Sequence, residues 1–104
     1  MESEKAREEY KKKFLMFREK FNDFLWEVNR WESYIYQQES AENLYKWIER
    51  HIEKVDFELD LLEKGYSTAK HCEEWCANFS IYLRHIEKAF KKGQEKEDKF
   101  IAPR

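Results

Sequence analysis

YKKKFLMFREKFNDFLWEVNRWESYI, residues 10–35, carries a heptad pattern of apolar side chains. Large apolar residues recur at alternating intervals of four and three positions, namely Tyr10, Phe14, Phe17, Phe21, Phe24, Val28, Trp31 and Ile35. A period of about 3.5 residues places all of them on one face of an α-helix, where they can pack against other helices. The stretch therefore predicts a long amphipathic helix over residues 3–39, with Ser3 as its N-terminal cap.

The same spacing returns twice further along the chain, which predicts two more helices. The second stripe consists of Ala41, Tyr45, Ile48, Ile52, Val55, Leu59, Leu62 and Tyr66. The third stripe consists of Ala69, Cys72, Cys76, Phe79, Leu83, Ile86 and Phe90. We expect Ser40 to cap the second helix, over residues 41–64, and Gly65 to end it in a left-handed backbone conformation.

The third helix is expected over residues 68–92, with Ser67 as its cap and Gly93 just beyond its end. Residues 94–104 then form a charged C-terminal tail that follows a single domain of residues 1–93. Because both connections are short, consecutive helices must run antiparallel. The sequence therefore predicts an all-α, up-down-up three-helix bundle. The alternative is a helical hairpin that completes its core only in a larger, oligomeric bundle.

Composition excludes several classes of function. The 104 residues include two glycines and one proline, too few for the Gly-rich loops that bind phosphates and dinucleotides. Charged residues make up 40% of the chain, yet the formal net charge is only −2, which argues against a surface of one sign that coats a polyanion. No apolar run is long enough for a signal peptide or a membrane span. We therefore expect a cytoplasmic protein with reduced cysteines and no membrane partner.

The stretch KHCEEWC, residues 70–76, is the one that suggests chemistry. Cys72 and Cys76 lie four positions apart on one helical face, so they could share a metal ion or form a redox pair. A zinc site needs two further ligands, and His71 points about 100° away from Cys72 around the helix. We expect both cysteines to fill space in the core against the phenylalanines of the first helix. A metal site and a redox role are the alternatives.

Catalytic signatures are missing from the sequence. It contains no Glu-x-x-His pair and no His-Glu-x-x-His motif, so neither a di-iron bundle nor a zinc protease has support. No serine or cysteine forms a recognisable nucleophile arrangement with a local histidine. We therefore expect no enzymatic activity, no catalytic residue, no bound metal and no cofactor.

Large apolar residues off the three stripes predict a protein-binding surface. So many outward rings exceed what a monomer needs, and tryptophan and arginine are enriched at the hot spots of interfaces. We expect the chain to bind another protein or to form a homodimer. The alternative is that rotated or kinked helices place these residues in the core. The predicted interface residues are Trp26, Arg30, Trp47, Arg50, Phe57 and Ile81.

Nucleic acid is the alternative partner. A group of lysines is expected at one end of the bundle, and aromatic residues near lysines can stack on bases. This would suit a small helical subunit of a ribonucleoprotein complex. Acidic residues such as Glu8, Glu63 and Glu73 dilute the positive charge, so nucleic acid is not the favoured partner. The lysines in question are Lys11, Lys12, Lys13, Lys64 and Lys70.

Overall fold

The computed structural model describes the backbone of residues 3–31 and 38–101, and the side chains of residues 3–28 and 43–91. No strand occurs within these ranges, and nearly every described residue is helical. The prediction of an all-α, three-helix fold is confirmed. The helices are α1, Glu4–Trp31; α2, Gln38–Glu63; and α3, Ala69–Ile101.

Ion pairs between α1 and α2 show that these helices run antiparallel. Near the start of α1, Lys11 Nζ lies 3.3 Å from Glu63 Oε1 at the end of α2. Two turns further along α1, Arg18 Nε donates a hydrogen bond of 2.6 Å to Asp56 Oδ1, two turns earlier in α2. All four side chains are partly exposed, so each pair contributes at most about 1 kcal/mol. The two pairs specify the register of the helices more than they stabilise the fold.

Contacts between α1 and α3 show that these helices run parallel. Tyr10 OH donates a hydrogen bond of 2.9 Å to Glu73 Oε1 near the start of both helices. Further along both, the ring centroids of Phe24 and Phe90 lie 4.9 Å apart. Because α2 is antiparallel to α1, the three helices run up, down and up, as predicted.

Phe79 of α3 lies at the centre of the hydrophobic core. Its ring centroid is 5.9 Å from that of Phe14, 5.7 Å from that of Phe17 and 6.1 Å from that of Phe21. Aromatic pairs in such edge-to-face and tilted arrangements gain about 0.5–1.5 kcal/mol each beyond the burial of their area. The other buried apolar residues continue this core along the bundle: Val28, Ile48, Ile52, Val55, Leu62, Cys72, Leu83, Ile86 and Phe90.

Two predicted helix-end signals are confirmed. Ser3 caps α1, because its Oγ accepts a hydrogen bond of 3.0 Å from the backbone N–H three residues later. Gly65 has a φ of 77°, in the left-handed region, just after the end of α2. A Schellman motif closes this end: Gly65 N bonds to Leu62 O at 3.2 Å, and Tyr66 N bonds to Leu61 O at 3.0 Å.

The predicted boundary between the first and second helices is wrong. α2 begins at Gln38, so Ser40 lies in its first turn and does not cap it. Residues 38 and 39 therefore belong to α2 and not to the first helix. Glutamine and glutamate have good helix propensity, so nothing in this stretch delays the helix until residue 41. Residues 32–37 of the predicted first helix lie outside the described residues.

The cap of α3 is Thr68 and not Ser67 as predicted. Thr68 Oγ1 accepts a hydrogen bond of 3.1 Å from His71 N, whereas Ser67 is buried. Serine and threonine offer the same hydroxyl acceptor. The choice between these neighbours therefore depends on which one faces the first turn of the folded helix.

The third helix does not end at Gly93. α3 continues to Ile101, so the predicted tail is helical over residues 94–101, while residues 102–104 lie outside the described part of the chain. A glycine inside a helix costs only about 1 kcal/mol relative to alanine. The glutamine, glutamate and lysine residues that follow have good helix propensity and carry the helix past it.

We expect Phe79→Ala to lower the free energy of unfolding by about 3–5 kcal/mol, because the substitution empties the centre of the core. Ile81→Ala serves as the control, since Ile81 lies on the exposed side of the same helix, and we expect it to cost less than about 1 kcal/mol. Urea denaturation followed by circular dichroism measures both values. Losses of equal size would place Ile81 in the core as well.

The two glycines should respond to alanine in opposite directions. Gly65→Ala meets no atom within 4 Å, but a left-handed backbone costs a residue with a Cβ roughly 1–2 kcal/mol, so we expect a loss of stability of that size. Gly93→Ala removes a glycine from the interior of α3 and should stabilise the protein by about 0.5–1 kcal/mol. Thermal denaturation of both variants is the measurement. A stabilised Gly65→Ala protein would contradict the left-handed end of α2.

Candidate protein-binding site

Three of the predicted interface residues lie on the open surface. Trp26 on α1 is 73% exposed, Phe57 on α2 is 53% exposed and Ile81 on α3 is 47% exposed. Each residue lies on the side of its own helix that faces away from the shared core. The three side chains therefore point in different directions and do not form one continuous patch.

Trp47 does not lie on the open surface as expected. It is half-buried between α2 and α3, where its ring centroid lies 4.2 Å from that of His51 and 6.0 Å from that of Tyr82. The α2 and α3 backbones approach each other less closely than either approaches α1, so large rings fill the space between them. Arg50 is exposed. The side chain of Arg30 lies outside those described.

His51 is enclosed by aromatic rings in the same space between α2 and α3. Besides Trp47, its ring lies 4.1 Å from that of Tyr82 and 5.9 Å from that of Phe21, measured between centroids. Its Nδ1–H donates a hydrogen bond of 2.7 Å to Trp47 O. Burial lowers the pKa of His51 below its usual value of 6.5, and the hydrogen bond offsets part of this decrease. The ring is therefore neutral at neutral pH.

Glu58 is a buried carboxylate that the sequence analysis did not identify. The side chain is 1% exposed, its Oε2 accepts a hydrogen bond of 2.6 Å from His71 Nε2, and its Oε1 lies 3.3 Å from Lys54 Nζ. Lys54 in turn lies 4.3 Å from the ring centroid of Trp75. Both carboxylate oxygens thus have partners in place of water, as burial requires. The spacing of Lys54 and Glu58 was a signal for their pairing, but the contact with His71 depends on how α3 docks.

Both cysteines are free thiols that pack in or against the hydrophobic core, as predicted. Cys72 is buried and Cys76 is half-buried; burial raises the pKa of each thiol, which keeps it protonated and weakly nucleophilic. Phe17 and Phe21 pack on Phe79, about one turn beyond Cys76 along α3. Within the described residues, no three or more His, Cys, Asp or Glu side chains come together as a metal site would require.

The five lysines of the nucleic-acid alternative lie among acidic and aromatic side chains. Lys11 and Lys64 lie 3.3 Å and 2.8 Å from carboxylate oxygens, respectively. Lys13 lies over an aromatic ring, 5.3 Å from its centroid. Lys12 and Lys70 are exposed. The positive charge is thus partly neutralised within the protein, which weakens attraction to a phosphate backbone.

The outer side of α1 carries an open depression of mixed polar and apolar lining beside Trp26. Leu15 is 46% exposed and precedes Trp26 by 11 positions, so both side chains share one side of the helix, about 16 Å apart. The depression between them has a volume of about 370 Å³. We call this surface the α1 face; its residues are Leu15, Arg18, Glu19, Asn22, Asp23 and Trp26.

The free charge on the α1 face is negative. Arg18 is bound through Nε to Asp56, whereas Glu19 and Asp23 are exposed. Neither of these two carboxylates forms an ion pair with another described residue. A molecule that binds here therefore meets two apolar side chains and two unpaired acids.

The chain matches no protein-family model, no curated protein and no solved structure. None of its helices, over the residues that the structure describes, has the length and apolar character needed to cross a membrane. A functional assignment for this chain therefore rests on the side chains described above.

We expect His51 to make the fold less stable in mild acid. Because the folded protein lowers the pKa of His51 below 6.5, the unfolded chain binds a proton there more readily. The stabilisation from neutral His51 is therefore present above pH 6.5 and is lost as the pH falls below it. Between about pH 7.5 and pH 5.5, His51→Gln should lose less free energy of unfolding than the natural chain.

The matched control is His85→Gln, since His85 is exposed on α3. This variant should keep the pH dependence of the natural chain. Urea denaturation at a series of pH values measures all three proteins. An unchanged slope in His51→Gln would show that the folded protein does not favour the neutral ring.

Proposed function

We propose that this chain is a small, non-enzymatic helical module that binds another protein, or a second copy of itself, through the α1 face. One observation carries the proposal: Trp26 is 73% exposed. Covering the ring of a tryptophan this exposed would contribute about 3–4 kcal/mol before the costs of association. Trp26 is therefore the anchor of the proposed interface.

The surroundings of Trp26 support this role. Leu15 supplies a second exposed apolar side chain on the same side of α1, and the depression between them can receive side chains from a partner. Arg18 borders this depression and is held in place by its bond to Asp56. Tryptophan and arginine beside a recess are the residue types that dominate interface hot spots.

The other two predicted apolar interface residues on the open surface, Phe57 and Ile81, are weaker candidates for an anchor. One side of the Phe57 ring is covered by Lys54, whose Nζ lies 4.7 Å from the ring centroid. Ile81 is smaller and lies on a different side of the bundle. The α1 face combines two exposed apolar side chains with a depression, and for that reason the proposal centres on it.

The chemical state of the titratable side chains supports a non-enzymatic, cytoplasmic protein. Burial raises the pKa of the Cys72 and Cys76 thiols, which disfavours the reactive thiolate. The ring of His51 is enclosed by other rings and is poorly placed to exchange protons with a substrate. Two free thiols are also typical of a reducing compartment.

Site-directed photo-crosslinking tests the proposal. The full chain carrying p-benzoylphenylalanine at position 26 is irradiated in the cells that produce it, and covalent adducts are resolved by mass. Because a crosslinker at an interface anchor lies against the partner, we expect a discrete adduct whose mass exceeds that of the chain alone. The partner is either another protein or a second copy.

Position 88 provides the matched control, since Lys88 is exposed on the outer side of α3, away from the α1 face. Circular dichroism confirms that both substituted chains fold. Adducts in equal amount from positions 26 and 88 would reflect random collisions and would contradict docking through the α1 face.

A further inference from the structure

We infer that the partner of the α1 face is a cationic, amphipathic segment of another protein. This inference rests on the proposed function and specifies the chemistry of its partner. The evidence is the combination of Trp26 and Leu15, which are exposed and apolar, with Glu19 and Asp23, which are exposed and form no ion pair among the described residues.

A second copy of the chain fits this face poorly. An antiparallel, two-fold pairing of two α1 faces would place Leu15 of one copy against Trp26 of the other, which is favourable. The same symmetry would bring Glu19 of each copy beside Asp23 of the other. Arg18 could not neutralise these four carboxylates, because it lies on the opposite edge of the face, where it is bound to Asp56. The like charges therefore oppose self-association through this surface.

A cationic, amphipathic segment complements both the exposed acids and the exposed apolar side chains of the face. Lysine or arginine side chains can bond to Glu19 and Asp23, and one of them can lie over the Trp26 ring in a cation–π contact. Apolar residues of the segment then cover Leu15 and the remaining surface of Trp26. An amphipathic helix of three to four turns would match the distance of about 16 Å between these two anchors.

The same carboxylates disfavour two other classes of macromolecule. Glu19 and Asp23 would repel the phosphate groups of a nucleic acid or of an anionic membrane surface. Because Trp26 lies close to both acids, its ring could not contact either kind of partner without bringing phosphates beside them. The charge of the α1 face thus distinguishes a basic protein segment from a polyanion.

Two synthetic peptides of about 14 residues test the inference. One is an amphipathic helix of leucine and lysine, and the other has glutamate at every lysine position. Fluorescence anisotropy of the labelled peptides, titrated with the full chain, gives the affinities. We expect the lysine peptide to bind and the glutamate peptide not to bind. Trp26→Ala should weaken the lysine peptide at least about tenfold, as expected for an anchor residue.

Charge variants separate specific docking from general attraction. Glu19→Gln combined with Asp23→Asn should weaken the lysine peptide and reduce the salt dependence of its binding. Glu74→Gln combined with Glu87→Gln removes the same charge from exposed positions on α3 and should leave binding unchanged. Equal losses in the two double variants, or no loss in Trp26→Ala, would overturn the inference.

The two proposals can fail separately. Crosslinked adducts at position 26 together with equal binding of both peptides would leave docking in place and overturn the cationic partner. A dimer seen by light scattering and abolished by Trp26→Ala would identify a second copy as the occupant and would also overturn it. Salt-sensitive binding of a short single-stranded RNA that requires Trp26 would overturn both proposals.

Discussion

The packing of three α1 phenylalanines around the ring of Phe79 is the contact on which the structure depends. Phe14, Phe17 and Phe21 all reach this ring, so α3 can lie against α1 in only one register. That register sets the level of every other residue in α3. It brings Tyr10 to Glu73. Because aromatic rings are large and rigid, no neighbouring register would fill the same volume.

The contact between α2 and α3 depends on other interactions than the contact between α1 and α3. Their backbones lie farther apart, and the space between them is filled by half-buried rings and by the carboxylate of Glu58. A buried ion pair adds little net stability, because the loss of hydration offsets the attraction between charges. The ion pair instead restricts how the helices can pack, because Glu58 has partners for both oxygens only when His71 and Lys54 lie on either side of it. We interpret this cluster as a constraint on how α3 docks against α2.

The two sides of α1 separate folding from binding. The inner side contributes the phenylalanines of the core, and the outer side presents Leu15 and Trp26 to solvent. α1 is already ordered by its packing against the core. An anchor residue on this helix therefore loses little conformational entropy when a partner binds, which lowers the entropic cost of association. Substitutions on the α1 face should therefore affect partner binding more than the stability of the fold, which is the arrangement expected of a small recognition module.

The sequence by itself determined the helical class, the number of helices and their up-down-up order, because heptad spacing and short connections leave few other arrangements. It also determined the outward position of Trp26, Phe57 and Ile81, which follows from their phase relative to each stripe. The tertiary structure decided the features that depend on how the helices pack together, which the spacing of apolar residues does not specify. Trp47 packs between α2 and α3 because the space between these helices is wide. Glu58 is buried because His71 and Lys54 contact it there. α3 continues past Gly93 because the helix propensity of the residues that follow outweighs the cost of one glycine. The negative charge of the α1 face likewise emerged only when Arg18 was found bonded to Asp56, since that pairing depends on how α1 and α2 align.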